Sequence, residues 1–104
     1  MLDLSTIEVK FFDVKLPDGS VVNIKPPTLS MKNEIATLAQ KVHTMNEKQQ
    51  EKALVKLVTR IFNRNVEDRE FKESEISKWF DESVLNLIVV KYTEFIAEVV
   101  NQKN

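Results

Sequence analysis

A single glycine and three prolines restrict where this 104-residue chain can make tight turns. The glycine is Gly19, in the segment LPDGS, and Pro17 lies two residues before it. Proline presets φ at the first corner of a β-turn, and glycine tolerates the left-handed backbone needed to start a second strand. Pro26 and Pro27 follow; they have no backbone N–H and must end that strand. The sequence therefore predicts one β-hairpin, over about residues 8–25.

The two strands of this hairpin alternate apolar and polar side chains. Phe12, Val14 and Leu16 share one face of the first strand, and Val22 and Ile24 share the same face of the second. A two-stranded hairpin is only marginally stable by itself in water. We therefore expect its apolar face to lie against a helix, or its edge to gain a strand from another chain.

The remainder of the chain has helical periodicity. The clearest amphipathic stripe runs through Leu54, Leu57, Val58, Ile61 and Phe62. Predicted helices cover residues 31–43, 47–63, 74–80 and 83–100. Candidate capping residues precede them: Thr28 or Ser30, Asn46, Ser74, and Asp81 or Ser83.

Residues 63–73 are polar, show no sustained period and predict a loop. The whole chain, residues 1–104, is predicted to form a single domain. Its predicted fold class is α+β and mainly helical, with an N-terminal β-hairpin followed by three to four α-helices.

The last predicted helix has more apolar surface than one stripe requires. Leu87 and Val90 lie on the side away from its main stripe, so residues 84–90 are apolar nearly all round. Two interpretations are open. Either the hairpin and the short helix with Trp79 and Phe80 cover this face, or another subunit covers it.

The composition argues against catalysis. Lysine and arginine number 15 against 16 aspartates and glutamates, and the chain has no cysteine, one histidine (His43) and one glycine. The lone histidine lacks the cysteine or second histidine that commonly completes a zinc site, and with a single glycine no phosphate-cradling motif can be written. No apolar run approaches the roughly 20 residues of a membrane-spanning helix, and no signal peptide is visible at the N-terminus. We therefore expect a non-enzymatic protein that binds other proteins, with no catalytic residue, cofactor, metal or membrane partner.

The most regular polar pattern is basic. Lysine or arginine recurs every four residues along the second predicted helix, at Lys48, Lys52, Lys56, Arg60 and Arg64. This face could be solvated, could contact an acidic protein, or could align with phosphates. No aromatic residues interleave the basic ones, so nucleic acid is the weakest of the three interpretations.

The order of these features resembles one known family. The hairpin in VKLPDGSVVNIKPPTLS, a helix directly after Pro26-Pro27-Thr28, an amphipathic helix, an acidic loop and the closing segment VLNLIVVKYTEFIAEVV together resemble the tail assembly chaperones of long-tailed bacteriophages and prophages. The resemblance extends over nearly the whole chain.

The resemblance implies a role in phage tail morphogenesis. Such a chaperone keeps the long, apolar tape measure protein soluble in the host bacterial cytoplasm, recruits tail tube subunits to it, and is absent from the mature virion. The family commonly has a longer product made by ribosomal frameshifting. Here the codons of Gln102-Lys103-Asn104 would permit a slippery A-AAA-AAC sequence if they read CAA AAA AAC.

Together, these observations predict which surfaces contact partners. For a chaperone that binds the tape measure protein, the tail tube protein or a second copy of itself, the expected contact residues are Leu87, Val90, Tyr92, Phe95, Ile96, Phe11 and Val21. For a small nucleic-acid-binding regulator, they are Lys52, Lys56, Arg60 and Arg64. A structural head–tail connector is a further alternative.

Overall fold

A computed structural model describes residues 10–101 of the chain. Within this range an antiparallel hairpin precedes four α-helices, which confirms the predicted α+β, mainly helical fold. The elements are β1 (Phe12–Lys15), β2 (Val21–Ile24), α1 (Leu29–Lys41), a short 3₁₀ turn (Val42–Thr44), α2 (Glu47–Phe62), α3 (Glu73–Trp79) and α4 (Glu82–Asn101). The first predicted hairpin residues, 8 and 9, and the C-terminal residues 102–104 lie outside the described range.

The hairpin forms where the glycine and prolines predict it. The Gly19 N–H donates to the Leu16 carbonyl at 2.9 Å, and the Leu16 N–H donates to the Ser20 carbonyl at 2.8 Å. Gly19 has a φ of 90°, in the left-handed region that a side chain disfavours. Val22 and Ile24 are fully buried, as their alternation predicts.

A loop segment extends the hairpin on the β2 side. Asn65 forms an antiparallel bridge with Ile24, the Lys25 N–H donates to the Arg64 carbonyl at 3.0 Å, and the Val66 N–H donates to the Asn23 carbonyl at 2.9 Å. On this side the edge of the hairpin is therefore paired, through one isolated bridge, with a loop segment of its own chain.

The predicted loop is built around two asparagine amides. The buried Asn65 side chain donates to the Phe62 and Arg69 carbonyls, each at 2.7 Å, and accepts the Arg69 N–H at 2.8 Å. Asn63 pairs with both backbone groups of Phe71. These bonds place Phe71 in the core, where its exposure is 2%. The polar residues around it in the sequence do not indicate this burial.

Helix α2 is at the centre of the hydrophobic core. Its buried residues are Leu54, Leu57, Val58, Thr59, Ile61 and Phe62. Phe62 meets the rings of Phe71 and Phe80 edge-on, with centroids 5.4 and 6.0 Å away. Such aromatic contacts add to the free energy of burial.

Helix α4 joins this core through Tyr92. The side chain is fully buried, its hydroxyl donates to the Lys25 carbonyl at 2.8 Å, and its ring meets Phe12 of the hairpin at 5.4 Å. The apolar face of the hairpin therefore lies against a helix, one of the two expected arrangements.

Two predicted caps are confirmed in the first half of the chain. The Thr28 side chain accepts the Met31 N–H at 3.3 Å, and Asn46 forms a reciprocal capping box with Gln49. Helix α1 begins two residues earlier than predicted and ends at Lys41. At this end the Thr44 hydroxyl donates to the Lys41 carbonyl at 2.7 Å, and the Gln50 side-chain amide donates to the Val42 and Met45 carbonyls at 3.0 Å; these bonds stabilise the 3₁₀ turn that follows the helix.

The cap prediction at Ser74 is wrong. Helix α3 begins at Glu73, because the Glu75 carboxylate accepts the Lys72 N–H at 3.0 Å and Ser74 is already helical. Of the two candidates before α4, Asp81 is the cap, since its carboxylate accepts the Val84 N–H at 2.9 Å.

The helices have defined relative directions. Glu34 of α1 pairs with Arg60 near the end of α2, and Val42 meets Gln50 near its start, so α1 runs antiparallel to α2. Helix α4 starts beside the N-terminal half of α2, where Glu82 lies close to Glu51. It reaches the level of the α2 C-terminus at Tyr92, so it runs in the same general direction as α2.

A candidate partner-binding groove

An open groove of about 450 Å³ lies between α1 and α4, with α2 as its floor. The floor consists of Gln50, Leu54 and Leu57. Side chains from α1 and from the start of the 3₁₀ turn form one wall: Lys32, Ile35, Ala36, Leu38, Ala39 and Val42. Side chains from α4 form the other: Glu82, Asn86, Val89, Thr93 and Ile96.

The α4 wall has the spacing of a helix-packing surface. Its five residues recur at intervals of four, three, four and three, which is the interval pattern of residues that pack against a neighbouring helix. This stripe is separate from the core stripe through Leu85 and Tyr92, which are buried. From Glu82 to Ile96 it is about 21 Å long, at about 1.5 Å per residue.

The α1 wall is shallow because it contains small residues. Ala36 and Ala39 are exposed beside the half-buried Ile35 and Leu38, and Met31 is the only residue of α1 that is fully buried. Alanine fills less space than a long side chain, so an additional helix could approach closely here. The arrangement resembles a helix bundle in which one helix position is open.

The groove lining contains one charged residue at each end. Glu82 is at the α4 start, where its carboxylate lies within 4.8 Å of the carboxylates of Glu47 and Glu51. Lys32 is on α1 beside the C-terminal half of α2, since α1 is antiparallel to α2. Between them the lining is apolar or neutral.

The predicted contact residues on the last helix separate into different environments. The prediction that Tyr92 contacts a partner is wrong, because its side chain is fully buried and hydrogen bonded to Lys25. Phe95 is half-buried against Phe12 and Tyr92, with ring centroids 5.6 and 6.0 Å away. Ile96 lines the groove.

Leu87 and Val90 remain exposed, at 54% and 52%. The interpretation in which the hairpin and the short helix with Trp79 and Phe80 cover them is therefore wrong. Trp79 and Phe80 pack around Phe71 and Phe62 in the core, so they are not available to cover this face of α4.

The predicted contact residues of the hairpin are also exposed. Phe11 is 41% and Val21 is 53% accessible. Both lie outside the groove lining. Exposed apolar side chains are thus present where predicted, but of the predicted contact residues only Ile96 belongs to the groove.

The basic face of α2 contains fewer free basic side chains than the sequence pattern predicts. Lys52 and Lys56 are exposed on α2, but Arg60 pairs with Glu34 of α1. Arg64 lies beyond the end of α2, and its guanidinium donates to the Pro26 carbonyl. Placing Arg64 on the basic helix face is therefore wrong.

Three lowered carboxyl pKa values have local structural causes. The pKa of Asp18 falls to about 2 because Ser20 donates to it through its hydroxyl and backbone N–H and Arg69 lies beside it. The Arg60 guanidinium lowers the pKa of Glu34, and the Val84 N–H lowers that of Asp81. These shifts belong to a turn, an ion pair and a helix cap, and they lie outside the groove.

The groove itself is not apparent in the sequence, although two signals pointed toward it. Ala36 and Ala39 lie next to the predicted α1 stripe, and Val89 falls in the segment with apolar residues on all sides. Both patterns indicate a helix with more than one contact face. The sequence does not indicate that α1 and α4 turn these faces toward each other.

Comparison with protein families, with curated proteins and with solved structures finds no match. Among residues 10–101, no helix combines the length and the apolar character required to cross a membrane.

Proposed function

We propose that this chain is a non-enzymatic tail assembly chaperone that holds an amphipathic helix of the tape measure protein in the groove between α1 and α4. The open apolar groove carries the proposal. The order of hairpin and helices, which resembles the chaperone family, supplies the identity of the partner.

The exposed apolar stripe of the partner helix explains why such a groove would be needed. An amphipathic helix alone in water exposes apolar surface and tends to aggregate, whereas a groove with side chains at helical spacing buries that stripe. The groove is about four helical turns long, enough to bind one segment of a long helix. Several copies of the chaperone would then bind along one tape measure protein.

The exposed apolar residues outside the groove have a second role in this proposal. Phe11 and Val21 on the hairpin and Leu87 and Val90 on α4 would contact tail tube subunits or a second copy of the chain. The complex would form in the host bacterial cytoplasm, and the chaperone would leave before the virion is complete.

The test fills the groove without altering the core. In the Ala39→Phe variant, a large side chain would occupy the groove from an exposed position on α1. The matched control is Ala97→Phe, the same change at an exposed position of α4 outside the groove lining. Each variant is co-expressed with the tape measure protein encoded in the same genome, and the soluble complex is quantified after affinity capture.

We expect Ala39→Phe to weaken capture by roughly tenfold or more, because it blocks the centre of the contact surface. Ala97→Phe should behave like the native chain, and thermal unfolding should show that both variants fold. Equal capture by both variants would reject the groove as the binding site. Duplex DNA binding that weakens steeply with salt would favour the regulator, and recovery of the chain from purified virions would favour the connector.

A further inference from the structure

We infer that the groove selects a helix by charge as well as by apolar surface: the preferred partner helix carries lysine or arginine at one end of its apolar stripe, next to Glu47, Glu51 and Glu82. This inference rests on the proposed function. It adds which helices are bound and how they are aligned in the groove.

The three carboxylates form a compact cluster at the groove end. Their nearest oxygens all lie within 4.8 Å of one another, Glu47 and Glu51 are exposed, and Glu82 is half-buried where it lines the groove. Like charges at this separation repel each other. A cation brought in by a partner would remove this repulsion.

Helix dipoles offset only part of the repulsion. Glu47 and Glu82 are the first residues of α2 and α4, where the positive end of the helix dipole stabilises a carboxylate. Glu51 lies in the second turn of α2, and the dipole effect declines within the first turn. The helix dipoles therefore compensate Glu51 least. Lys48 and Lys52 of α2 line a separate depression with Glu51 and lie outside the groove lining, so the groove end itself remains acidic.

The opposite end of the groove carries the opposite charge. Lys32 precedes Glu34, and the ion pair of Glu34 with Arg60 places this part of α1 beside the C-terminal half of α2. The acidic cluster lies beside the N-terminal half. A helix with a basic end and an acidic end matches this charge distribution in one alignment, and the reversed alignment puts like charges together at both ends.

The experiment compares two synthetic amphipathic peptides of 16 residues with the same apolar stripe. One carries two lysines at one end, and the other carries two glutamates in their place. Binding to the full-length chain is measured by isothermal titration calorimetry at low salt and in about 0.5 M NaCl. The protein variant is the double substitution Glu47→Lys and Glu51→Lys; the control is Glu70→Lys, an exposed site in the loop before α3.

We expect the lysine peptide to bind roughly tenfold more tightly than the glutamate peptide at low salt, the combined effect of about two partly exposed ion pairs. The difference should shrink at high salt because exposed charges are screened. The double variant should reverse the preference, and Glu70→Lys should retain it.

The outcomes distinguish this inference from the proposed function. Equal binding of both peptides by the native chain overturns the charge selection and leaves the groove as a helix-binding site. If neither peptide binds and the tape measure protein is not captured, the proposed function fails as well. Calcium or magnesium binding by the native chain alone, lost in the double variant, would assign the carboxylates to a metal and would also overturn the inference.

Discussion

At the scale of single residues, Tyr92 links three parts of the molecule. Its ring packs on Phe12 of the hairpin, its backbone belongs to α4, and its hydroxyl donates to the Lys25 carbonyl just after β2. Burial raises the pKa of the hydroxyl to about 12, and the nearby Arg64 opposes this rise. The folded state therefore favours the neutral form of the hydroxyl.

We predict that Tyr92→Phe lowers the free energy of unfolding at pH 7 by about 1 kcal/mol, because the Lys25 carbonyl loses its partner. Since the pKa is raised in the folded state, this contribution is complete below pH 10 and declines as pH rises toward about 12. Urea unfolding of the native chain and the variant from pH 7 to pH 11 measures both effects. Tyr92 is the sole tyrosine, so ultraviolet absorbance follows its titration directly; a midpoint near pH 10 in the folded chain would contradict this account.

Asp18 connects the hairpin turn to the loop that precedes α3. It accepts the Ser20 N–H at 2.9 Å and pairs with Arg69 at 3.2 Å, and the Arg69 guanidinium also lies over the Phe71 ring. The ordinary pKa of 3.8 falls to about 2 in the folded chain. This carboxylate therefore contributes to stability above pH 3.8 and loses its effect as pH falls toward 2.

We predict that Asp18→Asn reduces stability at pH 7 and that its difference from the native chain shrinks between pH 4 and pH 2. Thermal unfolding at several pH values in this interval measures the effect. The control is Ser20→Ala, which removes the main hydrogen-bond donor and should move the pKa of Asp18 back toward 3.8 in an NMR titration. A difference that stays constant with pH would contradict the expected role of the charge.

At the scale of elements, the start of α2 is fixed by local polar side chains. Asn46 accepts the Gln49 N–H at 2.8 Å, and the Gln49 side chain accepts the Asn46 N–H at 3.1 Å. Together they satisfy donors that the first turn of a helix leaves without partners. Because α2 supplies the centre of the core and the groove floor, its start affects both.

We predict that Asn46→Ala lowers the free energy of unfolding by about 1 kcal/mol, since the cap is lost. The matched control is Asn33→Ala, the same change at an exposed interior position of α1. It should be neutral or slightly stabilising because alanine is the better helix former. Denaturant unfolding distinguishes the two, and equal stabilities would show that the capping box contributes little.

Elements governed by neighbouring residues could be predicted from sequence. Gly19, Pro17 and the Pro26–Pro27 pair define the hairpin, and Thr28 and Asn46 define two helix starts, because each acts within a few residues. The end of α1 was missed because Gln50 reaches back to Val42 from eight residues away. A local pattern cannot report such a contact.

At the scale of the whole molecule, the groove depends on long-range contacts. Glu34 and Arg60 link α1 to α2, and Tyr92 and Lys25 link α4 to the end of the hairpin, across separations of 26 and 67 residues. The sequence indicates surplus apolar surface correctly at Leu87 and Val90, but it also predicts Tyr92 as a contact residue, and Tyr92 is in the core. Whether a face is covered depends on the position of elements distant in sequence.

The way in which α1 is attached affects which helices the groove can accept. Pro26–Pro27 and the Thr28 cap precede it, the Gln50 amide holds the turn after it, and Met31 is its one fully buried residue. A wall anchored at both ends but lightly embedded between them can move outward while the centre of the protein stays packed. Under the proposed function, such a wall would adjust its spacing to helices of different diameter, so one small protein would bind successive segments of a long polypeptide.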